Sequence, residues 1–209
     1  MRQVYKQKGR LKYVFRRPFL CFKLQAAGAE AQFFVEYRFV CKLFDNQNVS
    51  NGQVNQVYVD IDNDPTTFNS SSANVKDPNP GGACPRTVKK AFLYWAAVGL
   101  SNTEASKKVK FKVDNGNYQE ITATNILTAT DAYVYVADIT DKLTNVEGTY
   151  TVANIQAPMG VSSGYAGGWT LFIVYEDLSK PARNITLFDG WEEISNTTKE
   201  IKIDGFTTV

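Results

Sequence analysis

Two strongly apolar runs constrain the fold of this chain more than any other feature. They are Ala91-Phe-Leu-Tyr-Trp-Ala-Ala97 and Trp169-Thr-Leu-Phe-Ile-Val-Tyr175. Each run is too short for a typical helix and is rich in aromatic or β-branched residues, which is the pattern of a strand buried on both faces. We therefore expect the two runs to be central strands, either side by side or facing each other across the core.

Shorter strand patterns surround these runs. In Val109-Lys-Phe-Lys-Val113 the apolar residues alternate with lysines, and Asp114-Asn-Gly116 then predicts a turn into a partner strand over Tyr118–Ala123. Asp138 is placed to cap a short helical turn that runs to Leu143. Further strands are predicted over Val54–Asp62, Tyr133–Ala137, Gly148–Asn154, Asn184–Phe188 and Lys199–Asp204.

This strand order predicts an all-β fold. Trp169–Tyr175 and Asn184–Phe188 are expected to pair as a hairpin, and Asn63–Pro85, rich in turn-forming residues, is expected to be a long loop. Eight or nine strands at about ten-residue spacing are typical of an antiparallel β-sandwich or a jelly roll. We expect the sandwich to lie within residues 44–209 and the chain to be a fragment truncated at its C-terminal end.

Residues 1–43 differ from the rest of the chain. A basic stretch up to Arg17, an apolar stretch from Pro18 and a final Ala29-Glu-Ala31 occur in the order of a secretory signal, although Lys23 interrupts the apolar part. Two interpretations stay open: a leader, with mature protein beginning near Gln32, or a mis-assigned start or reading frame. Both exclude the segment from the predicted fold.

The charge distribution bears on the partner. Residues 1–43 contain ten basic and two acidic residues, whereas residues 44–209 contain 13 basic and 19 acidic residues, a formal charge of −6. An acidic domain argues against a nucleic-acid partner, because phosphate binding requires clustered Lys and Arg. No run of 18 apolar residues is present in the sequence, so no transmembrane helix is predicted.

Cysteine and histidine content excludes several kinds of site. The chain has three cysteines, Cys21, Cys41 and Cys84, and none of them has C-x-x-C spacing. If a leader were removed, Cys41 and Cys84 would remain and could pair, but the sequence does not establish whether this disulfide forms. The chain contains no histidine, so Gly160-Val-Ser-Ser-Gly164 lacks the base that a catalytic Ser162 needs. We expect no catalytic residues and no cofactor other than calcium.

Three carboxylates at alternate positions, Asp60, Asp62 and Asp64, form the candidate metal site. This spacing suits calcium, and Asn69 or backbone carbonyls of the following loop would be further oxygen ligands. The EF-hand pattern fails, since Pro65 stands where that loop requires Gly. The alternative, which we favour, is a solvated strand end followed by an Asp-Pro turn.

A glycan-binding surface is a second candidate. Trp191 follows Asp189-Gly190 in a predicted turn and is the aromatic residue best placed to stack on a sugar. Paired acids for glycoside hydrolysis would come from Glu176, Asp177, Glu192 or Glu193, although no pattern places two of them in one cleft. N-glycosylation sequons occur at Asn48, Asn69, Asn184 and Asn196, and we interpret them as chance matches.

Seven segments of the chain follow a recognisable order: Asp60–Ala73, Ala91–Trp95, Tyr118–Ala123, Tyr133–Thr140, Gly148–Asn154, Tyr165–Asp177 and Arg183–Gly190. In this order they resemble a family of large secreted surface proteins of Bacteroidetes, including adhesin-like proteins of gliding species. The resemblance spans roughly residues 54–206. It implies an N-terminal β-rich module of a longer chain that leaves the cell by type IX secretion, with no catalytic residues to transfer.

We therefore expect a non-catalytic module at the bacterial cell surface, with an adhesive or structural role. Surface glycans or other surface proteins are the expected partners. The alternative is a carbohydrate-binding or glycan-hydrolysing sandwich domain. The sequence identifies neither the adhesion target nor the oligomeric state.

Overall fold

A computed structural model of the chain describes residues 4–6, 10–13, 19–20, 23–27, 33–39, 57–77, 86–100, 103–129, 131–159, 166–178, 184–189, 191–192 and 199–202. Within these ranges the chain is almost entirely strand, with one short 3-10 helix at Thr140–Lys142. The strands are β1 (Val4–Lys6), β2 (Arg10–Tyr13), β3 (Phe19–Leu20), β4 (Lys23–Ala27), β5 (Phe33–Phe39), β6 (Ser70–Val75), β7 (Thr87–Val98), β8 (Lys108–Val113), β9 (Gln119–Thr122), β10 (Asn125–Ala129), β11 (Ala132–Asp138), β12 (Gly148–Ala153), β13 (Ala166–Glu176), β14 (Asn184–Phe188), β15 (Trp191–Glu192) and β16 (Lys199–Lys202).

Two antiparallel sheets face each other and confirm the predicted all-β sandwich. The first has five strands in the order β10-β11-β7-β13-β5, and the second has four in the order β6-β12-β8-β9. Strands β7 and β13 are neighbours in the interior of the larger sheet, with Trp95 opposite Trp169 and Leu93 opposite Leu171. The two apolar runs are thus central strands, as their composition predicts.

The main core lies between the sheets. Alternate residues of β7 and β13, among them Trp95 and Ile173, point inward and are almost fully buried. Opposite them, Phe111 of β8 and Tyr150 of β12 stack with ring centroids 6.1 Å apart. The polar groups of buried rings find acceptors within the protein: the indole of Trp95, for example, donates to the carbonyl of Ser106 at 2.9 Å.

A second apolar cluster covers the outer face of the five-stranded sheet. It contains Tyr94 of β7, Val134 and Val136 of β11 and Phe172 of β13, and Leu187 of β14 packs against it. The ring of Tyr94 meets Phe172 edge to face at 5.6 Å. Cover on both faces explains why β7 and β13 lack the alternation of a half-exposed strand.

Three predictions about individual segments are wrong. Strand β14 does not form a hairpin with β13, because β7 and β5 occupy both edges of β13, and β14 pairs with β4 instead. The predicted loop over Asn63–Pro85 contains strand β6, whose serines pair with β12 although they have little strand propensity. The predicted strand over Val54–Asp62 is, in its described part, only an isolated bridge at Tyr58.

Strands from residues 1–43 pair with later parts of the chain. Strand β5 lies at an edge of the five-stranded sheet, and β2, β3 and β4 pair with β16, β15 and β14. Cleavage near Gln32 stays a prediction. It would remove β4 and leave β5 in the mature chain. Among the described residues, no helix has the length and apolar character needed to cross a bilayer.

Candidate functional site

The candidate metal residues lie in the segment that precedes β6, where Asp62 is at the centre of a polar cluster. The ammonium of Lys112 on β8 donates to Asp62 Oδ2 at 2.5 Å. The hydroxyl of Tyr118 donates to the same oxygen at 2.6 Å, and the Lys112 ammonium lies 4.2 Å from the centre of the Tyr118 ring. These contacts fasten the segment to the outer surface of the four-stranded sheet.

Ser70 connects Asp62 to Asp60. Its hydroxyl lies 2.7 Å from Asp60 Oδ1 and 3.0 Å from Asp62 Oδ1, and it accepts the backbone N–H of Ile61 at 2.9 Å. Ser70 itself is buried at the start of β6. One hydroxyl group thus contacts two carboxylates and one backbone amide, which fixes how the chain enters the strand.

Electrostatics in this cluster favour ionised Asp62. Burial is the largest influence and by itself raises the pKa of the Asp62 carboxyl, but the hydrogen bonds and the Lys112 charge together outweigh it and hold this pKa well below its usual range. Burial, followed by the hydrogen bond to Asp62, raises the pKa of the Tyr118 phenol. At neutral pH the cluster is therefore a carboxylate that accepts from an ammonium and a phenol.

Asp64 makes a separate, local structure. Its Oδ1 accepts the backbone N–H of Thr66 at 2.8 Å and the Thr66 hydroxyl at 2.6 Å. These two hydrogen bonds lower the pKa of the Asp64 carboxyl, with the hydroxyl contributing most. This is the Asp-Pro turn that the sequence indicates as an alternative to a metal site.

Asn69 does not fit the ligand role considered for it. Its amide is buried, donates to the carbonyl of Ile155 at 2.8 Å and accepts the Ile155 N–H at 3.1 Å. Tyr58 adds a second link, since its hydroxyl donates to the carbonyl of Ala157 at 2.6 Å. The Asn69 side chain, which is also the acceptor of its sequon, is therefore buried and hydrogen-bonded within the protein. It attaches the loop to the chain at Ile155 and does not face a metal ion in solution.

A calcium site at Asp60, Asp62 and Asp64 stays the less favoured hypothesis. In the part of the chain that the structure describes, no three His, Cys, Asp or Glu side chains converge as a metal ion requires. A cation at Asp62 would have to compete with the Lys112 ammonium, so we expect calorimetric titration with calcium to be flat. Millimolar or tighter binding that disappears in Asp62→Asn and raises Tm would contradict this expectation.

The acids considered for glycoside hydrolysis are engaged in ion pairs where their side chains are described. Glu176 pairs with Lys89 at 2.8 Å. Asp177 is buried, with Arg86 Nε 3.7 Å from its Oδ2. These two carboxylates therefore tie strand ends together. Glu193 lies outside the described residues, as does the side chain of Glu192.

For the remaining candidate residues, the structure describes only the backbone or does not describe the residue. The backbone of Trp191 pairs with Leu20 in the β15–β3 ladder, and its side chain is not described, so its role in ligand binding stays a prediction. Cys41, Cys84 and Ser162 lie outside the described residues.

Sequence reasoning missed the residues that hold the Asp62 cluster together. The alternation of β8 correctly predicts that Lys112 points away from the core, but it does not identify a partner 50 residues earlier. Tyr118 lies at the end of the turn, and no residue near it in the sequence indicates that its hydroxyl contacts Asp62. The contacts arise from the register of β8, β12 and β6, which the sequence does not display.

Comparisons of this chain with protein-family models, with curated proteins and with solved structures each find no match.

Proposed function

We propose that this chain is a non-catalytic module of a secreted bacterial surface protein, with an adhesive or structural role outside the cell. Export by type IX secretion and a connection with gliding motility belong to the same proposal. The observation that carries it is the ordered series of segments over residues 54–206 that resembles Bacteroidetes surface proteins. No catalytic role is assigned to any residue.

The arrangement of polar residues supports this proposal. Asp62, Asn69 and Asp177 are engaged with other parts of the protein and fasten loops or strand ends to the two sheets. Antiparallel sandwiches of this kind serve as rigid scaffolds in many cell-surface domains. A scaffold stabilised in this way suits a module that presents loops or connects neighbouring modules.

Localisation is the first test. Antibodies against the chain are applied to intact and permeabilised cells of the source bacterium, and residues at the mature N-terminus are sequenced. Labelling of intact cells and a start near Gln32 are expected. Signal only after permeabilisation, with Met1 retained, would contradict the proposal.

Attachment to surfaces is the second test. We expect purified protein to increase adhesion of coated beads to a protein or glycan surface without changing any glycan chemically. A glycan array, with and without calcium, addresses the alternative function. Specific micromolar binding to one sugar that is lost in Trp191→Ala would favour a carbohydrate-binding domain, and release of sugar products would favour a hydrolase.

A further inference from the structure

The outer face of the five-stranded sheet carries an apolar cluster that requires cover. Tyr94, Val134 and Phe172 are at most 2% exposed, although they point away from the main core. A sheet face with this composition is stable in water only beneath another layer. The segment that lies over it therefore decides whether the face is hidden or available.

Residues 184–189, which we term the strap, contribute to this cover. Leu187 packs against the apolar cluster, and the hydroxyl of Tyr94 donates to Asp189 Oδ2 at 3.1 Å. The Tyr94 phenol is protonated at neutral pH, and burial, followed by the nearby Asp189 charge, raises its pKa further above the ordinary value. The strap thus makes at least one apolar and one polar contact with the outer face of the five-stranded sheet.

The strap is attached differently from the strands beneath it. Among the described strands, β14 pairs with β4 and with no strand of the two main sheets. Leu187 and Ile185 are only partly buried and Asp189 is exposed, whereas the residues beneath them are almost fully buried. A segment whose described side chains are at most partly buried, and which forms no ladder with the main sheets among the described strands, opens locally at a lower free energy than the core.

We propose that the strap opens and closes over the outer face of the five-stranded sheet as a unit, while the two-sheet core stays folded. The closed form hides Tyr94, Val134 and Phe172. The open form exposes an apolar surface formed by β7, β11 and β13. This makes the strap a conformational device that controls when the face is accessible.

Hydrogen–deuterium exchange of the full chain tests the proposal. In the wild type, amides of residues 184–188 are expected to exchange faster than those of β7 and β12. Leu187→Ala and Asp189→Ala each remove one contact of the strap, and each is expected to accelerate exchange in residues 184–188 by about five- to tenfold. Exchange in β7 and β12 stays unchanged, and binding of a dye specific for exposed apolar surface increases.

Tyr94→Phe and Tyr118→Phe form a matched pair. Each removes a phenol hydrogen bond to an aspartate, but only Tyr94 contacts the strap. Tyr94→Phe is expected to reproduce the effect of Asp189→Ala, whereas Tyr118→Phe leaves exchange in the strap unchanged. The proposal is overturned if residues 184–188 and β7 accelerate together, or if neither Leu187→Ala nor Asp189→Ala changes exchange in the strap.

Discussion

At the scale of single residues, the polar side chains of this protein act mainly as fasteners. Asp62 joins the segment before β6 to β8 through Lys112, and Asn69 joins the same segment to the chain after β12 through Ile155. Both contacts link residues far apart in sequence. Their loss is therefore expected to change stability measurably.

Asp62 should make stability depend on pH. Its folded pKa lies below the unfolded value of about 3.9, so the unfolded state binds protons first as pH falls. The contribution of Asp62 is complete above about pH 5 and is lost as pH falls through 4 toward the folded pKa. We expect Asp62→Asn to lower the free energy of unfolding by about 1 to 2 kcal/mol at pH 7.

Urea denaturation at several pH values measures this effect. The difference between wild type and Asp62→Asn is expected to shrink below pH 4. Asp141→Asn is the control, since Asp141 is exposed and pairs with the adjacent Lys142, and it should change stability by less than about 0.5 kcal/mol. A pH-independent difference for Asp62→Asn would show that its charge is not the source of stability.

Asn69 offers a second prediction. Asn69→Ala leaves the buried N–H and carbonyl of Ile155 without their side-chain partners, which is expected to cost about 3 kcal/mol. Asn74→Ala on the following strand, β6, removes an exposed amide that accepts from Thr149, and its cost should stay below about 1 kcal/mol. Equal losses in denaturant unfolding would contradict the role assigned to Asn69.

At the scale of the strand, burial on two faces distinguishes β13 from the exposed segments around it. Phe172 points to the outer face and is 2% exposed, whereas Phe68 is 41% exposed. We expect Phe172→Ala to destabilise the protein by about 3 to 5 kcal/mol, because it leaves a cavity beneath the strap. Phe68→Ala should cost about 1 kcal/mol through its lost contact with the Tyr58 ring.

Denaturant midpoints of the two variants provide the measurement. Should Phe172→Ala cost no more than Phe68→Ala, the outer cluster would not be a packed second core. An unchanged dependence of unfolding on denaturant would show that both variants retain a compact native state.

The pattern of apolar residues along a strand explains which strands can be predicted from the sequence. Strands β7 and β13 are apolar on both faces and β8 alternates strictly, so their composition identifies them. Strand β6 is rich in serine and β10 is a short edge strand, and neither has a strong local pattern. Both are formed by pairing with β12 and β11, which overrides weak propensity.

The candidate site was less predictable than the fold. The alternating aspartates indicate a polar strand end, and the Asp64 turn follows from its Asp-Pro sequence. The partners of Asp62 and Asn69 depend on strand register over 50 and 86 residues, and local patterns carry no information about it. Only the three-dimensional structure therefore distinguishes a solvated carboxylate from one that is hydrogen-bonded to another part of the protein.

At the scale of the whole molecule, a group of charged residues joins the two sheets at one end. Asp77 follows β6 of the four-stranded sheet, while Arg86 precedes β7 and Asp177 follows β13 of the five-stranded sheet. Arg86 Nη1 lies 2.9 Å from Asp77 Oδ2, and Arg86 Nε lies 3.7 Å from Asp177 Oδ2. The side chains of Arg86 and Asp177 are only 10% and 2% exposed.

Arg86→Met is therefore expected to destabilise the protein by about 3 kcal/mol or more, since it removes the positive charge beside the buried Asp177 carboxylate. The neighbouring pair of Lys89 and Glu176 is the control: it is closer, at 2.8 Å, but its side chains are 37% and 28% exposed. Lys89→Met should cost less than about 1 kcal/mol. Equal costs in urea denaturation would mean that the charges at this end do not hold the sheets together. Recovery of stability when Asp177→Leu is added to Arg86→Met would identify the isolated buried charge as the cause.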